Sequence, residues 1–100
     1  MLENTKAAYK GLEKLVSLAK NASDIEGAGI FSAVTIICRD WKEHNDSLEV
    51  PGSAYQNQKI IDIEQHIRAM FDFENYSEHD REAHFHFAYS SLQDLGRLIE

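Results

Sequence analysis

Apolar residues recur at helical spacing in four separate stretches of the chain. In the first, Leu12, Leu15, Val16 and Ala19 share one face, and Lys6, Lys10 and Lys14 stack on another. In the second, Ile30, Val34, Ile37 and Trp41 follow a 4-3-4 spacing, which predicts helix despite the β-branched content. This segment is apolar nearly all round between Ile30 and Cys38, so it is expected to be the most buried helix. Ile60, Ile63, Ile67, Met70 and Phe71 form a third stripe, and Phe85, Ala88, Leu92, Leu95 and Ile99 a fourth.

Turn chemistry divides these stretches. Ser23 with Glu26, Ser53 with Gln56 and Ser77 with Asp80 have the spacing of capping boxes, in which a serine and a polar residue three positions on satisfy each other's backbone N–H. Val50-Pro51-Gly52-Ser53 suits a type II turn, with Pro and Gly at its centre. The signals together predict helices over 4–20, 24–45, 54–72 and 78–99. Gly11 weakens the first by about 1 kcal/mol relative to alanine. Short connections favour antiparallel neighbours. The expected fold is all-α, a compact antiparallel four-helix bundle formed by residues 1–100 as a single domain.

Composition changes the picture in two ways. A 43% hydrophobic content supplies a core for 100 residues. Ten basic against 17 acidic residues give a formal charge of −7, which argues against coating nucleic acid or an anionic membrane. No apolar run approaches the roughly 18 residues of a membrane span. The start MLENTKAAYK lacks the pattern of a signal peptide. Cys38 is the single cysteine, so no internal disulfide forms, and a cytoplasmic location is the default expectation. In an apolar helix its thiol is expected to be inert.

The charge is unevenly placed. Residues 1–50 carry 6 basic and 8 acidic side chains, whereas residues 51–100 carry 4 and 9. Residues 72–82, DFENYSEHDRE, hold five acids against one arginine and include two aromatics. Asp72, Phe73, Glu74, Tyr76, Glu78, Asp80 and Glu82 therefore form a candidate surface for a basic protein partner. The structural alternative is a solvated turn with acids at a helix N-terminus.

Histidine carries much of acid–base and metal chemistry, and the chain has five. His84 falls within the apolar arc of the fourth helix, with Arg81 one turn before it, and a polar side chain there needs a partner or an interface. Arg81 and His84 are pocket candidates; the plain alternative is a core histidine with a satisfied hydrogen bond. His79, Glu82 and His86 share one face that suits a divalent metal, as imidazole and carboxylate ligate zinc, iron or nickel. That face points away from the core, and neither the Glu-x-x-His of di-iron bundles nor His-Glu-x-x-His occurs. No cofactor is expected.

Arg39-Asp40-Trp41-Lys42-Glu43-His44 resembles the Arg-polar-x-x-x-His motif of the HEPN family of helical RNases. The resemblance implies Arg39 stabilising phosphate charge and His44 in acid–base catalysis within a homodimeric cleft. Shared chemistry between the two requires the helix to end or kink between them. The preferred expectation is a non-enzymatic binding module of inhibitor or antagonist type, such as an immunity protein, an antitoxin or a phage anti-defence protein. The alternatives are the RNase and a small-ligand or metal-binding bundle around Arg81 and His84. Ile61 and Phe87, apolar and off the centre of their stripes, point to a homodimer.

Overall fold

A serine fixes where the longest helix begins. The Ser23 N–H donates to Glu26 Oε1 at 2.9 Å, and the Glu26 N–H donates to Ser23 Oγ at 3.3 Å, closing the expected capping box. The same bonds, the backbone one foremost, hold the Glu26 carboxyl below its usual range. The computed structural model describes residues 5–48, 52–71 and 78–99. Four helices run through them: α1 (Thr5–Ala19), α2 (Asp24–Leu48), α3 (Ser53–Met70) and α4 (Glu78–Ile99).

The start of α3 corrects the second capping box. Gly52, at φ 80° and ψ 0°, is the cap and offers no side chain. Its carbonyl accepts from the N–H groups of Tyr55 and Gln56, at 3.1 and 3.3 Å. These angles are those of the third residue of a type II turn, which only glycine adopts without strain. Ser53 is thus already helical, and the Gln56 side chain is used elsewhere. Val50 and Pro51 lie outside the described residues, as does Ser77 of the third expected box. α2 continues three residues past the expected end at 45.

The helices close into a ring in which each packs on its chain neighbours and α1 returns against α4. The bundle measures 39 × 20 × 20 Å. Leu12 and Val16 from α1, Val34 and Trp41 from α2, Ile63 and Ile67 from α3, and Leu92 and Leu95 from α4 are removed from solvent. Leu15, Ile37, Phe71 and Ile99, expected to point inward, are only partly buried and pack on the rim of this core.

α2 departs furthest from expectation. A helix at the corner of a four-membered ring has two neighbours, so its outer face stays open whatever residues it carries. Ile25 is 87% and Ile36 51% exposed. Gly27 allows a close approach of α3, since a Cβ there would collide with the Phe71 ring. At Gly29 that position faces open space. Gly96 of α4 likewise admits the Tyr9 ring of α1. No described helix is long and apolar enough to cross a membrane.

Candidate functional site

The start of α4, next to the end of α3, carries Asp80, Arg81, Glu82, His84 and His86 among the described residues. His84 is half-buried, and the partner its position demands is His66 on α3. The two Nδ1 atoms are 2.9 Å apart and the ring centroids 5.1 Å. The 2.2 Å difference amounts to one ring radius at each end. Both nitrogens therefore lie close to the line joining the rings, the arrangement of an in-line N–H···N bond. A shared metal would instead draw both nitrogens to a third point about 2.0–2.1 Å from each and tilt the rings toward it.

One proton sits between the rings, so one imidazole donates through Nδ1–H and the other accepts. A singly charged pair keeps that bond. A doubly charged pair loses it, because both nitrogens then carry hydrogen. Burial, followed by the charge of His84, holds His66 below the usual histidine range, and Asp62 opposes the shift. Phe87 covers the pair from one side, its ring centroid 5.2 Å from that of His66, while remaining 55% exposed. Ile61 is half-buried.

Arg81 is half-buried one turn before His84, at the same end of α4. Asp80 and Glu82 are exposed. Asp72, Phe73, Glu74 and Tyr76 lie outside the described residues. Glu78 and His79 lie in the first turn of α4, with their side chains outside that description. Of the proposed metal face, His86 Nε2 and Glu82 Oε1 are brought to 3.8 Å, both well exposed. Among the described residues no three His, Cys, Asp or Glu side chains are grouped so as to hold a metal ion.

Arg39 and His44 are not brought together. α2 runs unbroken past both, so their side chains diverge by about 140° at 3.6 residues per turn. Arg39 is exposed and pairs with Asp40 at 3.8 Å. His44 is half-buried, with its Nδ1 enclosed and unpartnered. Cys38 is fully buried, and burial, helped by Glu64, pushes its thiol up to about 12. It is protonated and inert at neutral pH.

A second polar cluster, at the opposite end, was not anticipated. Asn45, 2% exposed, donates through Nδ2 to Gln56 Oε1 at 3.2 Å and Asn57 Oδ1 at 2.9 Å. Asn57 in turn donates to Asp46 at 3.1 Å. The signal for it was the position of Asn45, four residues after Trp41 on the buried stripe. Its work is structural, since it ties the end of α2 to the start of α3. Two ion pairs link helices along the bundle, Lys42 of α2 with Glu64 of α3 and Lys59 of α3 with Asp94 of α4. No protein-family model, curated protein or solved structure matches the chain.

Proposed function

We propose that this protein is a non-enzymatic binding module of inhibitor or antagonist type, which docks the acidic α3–α4 junction on a basic partner. The observation that carries the reading is the placement of charge: five of the 17 acids fall within residues 72–82, beside two aromatics. Exposed Asp80 and Glu82, together with half-covered Phe87 a turn or two further along, support it. Carboxylates fringing an aromatic surface suit a partner whose lysines and arginines serve another acidic ligand. Immunity proteins, antitoxins and phage anti-defence proteins are roles of this kind. The His66–His84 bond pins the end of α3 to the start of α4, on which Asp80 and Glu82 stand.

The test is recovery of a partner with tagged protein at low and high salt, repeated with Glu78→Lys, Asp80→Lys and Glu82→Lys combined. A partner retained by wild type in low salt, released in high salt and lost by the triple variant supports the reading. A partner retained equally by the folded triple variant overturns it.

A further inference from the structure

The outer face of α2 carries a pattern that the monomer does not use. Ile25, Gly29, Ser32 and Ile36 follow a 4-3-4 spacing, so they form a single stripe, and all four are exposed. The core is supplied from the opposite side of the same helix. From Ile25 to Cys38 the only charged residue is Glu26. Such an uncharged, solvent-facing stripe, with isoleucines at 87% and 51% exposure, is what an unpaired helical interface looks like. Leu18 of α1, 59% exposed, extends it across the shallow groove it shares with Gly29.

The stripe is its own complement. It reads Ile, small, small, Ile in both directions, with its centre between residues 30 and 31. Two copies of α2 laid antiparallel about a two-fold axis there place Ile25 of each against Ile36 of the other. Gly29 then faces Ser32, which lets the backbones approach at the centre while isoleucines fill both ends. Charge agrees with this register. An antiparallel pairing sets like edges together, bringing exposed Arg39 of each copy to the acidic first turn of the other, at Asp24. A foreign helix would need none of this symmetry; a second copy needs all of it.

From these features we infer that the outer face of α2 is a homodimer interface, antiparallel and two-fold symmetric. The stripe is about 17 Å long at 1.5 Å per residue. That places it among small interfaces, so association is sought over a wide concentration range. Sedimentation equilibrium from low-micromolar to near-millimolar concentration should show the mass doubling. Ile25→Lys and Ile36→Glu, both at exposed positions, should each weaken association about tenfold or more and leave the helical circular dichroism unchanged. An equimolar mixture of the two variants should dimerise again, because the introduced ammonium then faces the introduced carboxylate and one Ile–Ile contact survives. Reversing the charges of Glu78, Asp80 and Glu82 should leave the dimer intact, which separates this surface from the junction. A wild type that stays monomeric throughout, single variants that associate like wild type, or a mixture that fails to associate would each overturn the inference.

Discussion

His66 gives this bundle one response to pH. Its folded-state pKa lies below the ordinary histidine value, so across that window the unfolded chain binds more protons than the folded one. Stability is therefore complete above the ordinary value and falls as the pH drops through the depressed one. Replacing His66 with Phe should flatten the stability–pH profile between neutrality and mild acid relative to wild type, read as urea midpoints at matched pH. A profile with the wild-type slope would remove His66 from the response. Gly27 makes a steric prediction: Gly27→Ala must displace the Phe71 ring and should cost about 1–3 kcal/mol by chemical denaturation. Asn45→Ala leaves the acceptors of Gln56 and Asn57 without their shared donor and should cost about as much. The Ser23–Glu26 box was legible in the sequence because both members belong to one turn of chain. The His66 partner of His84 was not, because the two are 18 residues apart and meet only when α3 packs on α4.

Helices carry a different kind of information. The buried stripes of α1, α3 and α4 could be read directly, since each has one apolar face and periodicity names it. α2 has two, and the sequence cannot say which will meet neighbours; the ring of four helices decides, leaving Ile25 and Ile36 outside. Helix ends follow local rules when a side chain provides the cap and escape them when backbone conformation does. At the start of α3 a left-handed glycine displaced the expected serine. Gly52→Ala should therefore destabilise the protein by about 1–2 kcal/mol, although nothing crowds that position. A thermal melt unchanged by this substitution would contradict the turn described.

At the scale of the whole molecule, the bundle itself was readable from four stripes and short connections, whereas the function was not, because charge placement names the sign of a partner and no more. Asp80 and Glu82 are exposed on α4, whereas Ile25 and Ile36 are exposed on the outer face of α2. Melting temperature should rise with protein concentration as the α2 pairing fills, and the junction triple variant should retain that dependence. The return of α1 against α4 has a further consequence. Tyr9 meets Gly96 at one end of the 39 Å axis, while Lys20 lies over Phe85, 5.7 Å from its ring centroid, toward the other. Residues near 5 and 99 thus emerge side by side, remote from the α3–α4 junction. A short linker joining residue 5 to residue 99 would therefore span the gap without disturbing the helices, and the bundle could be reopened at another connection.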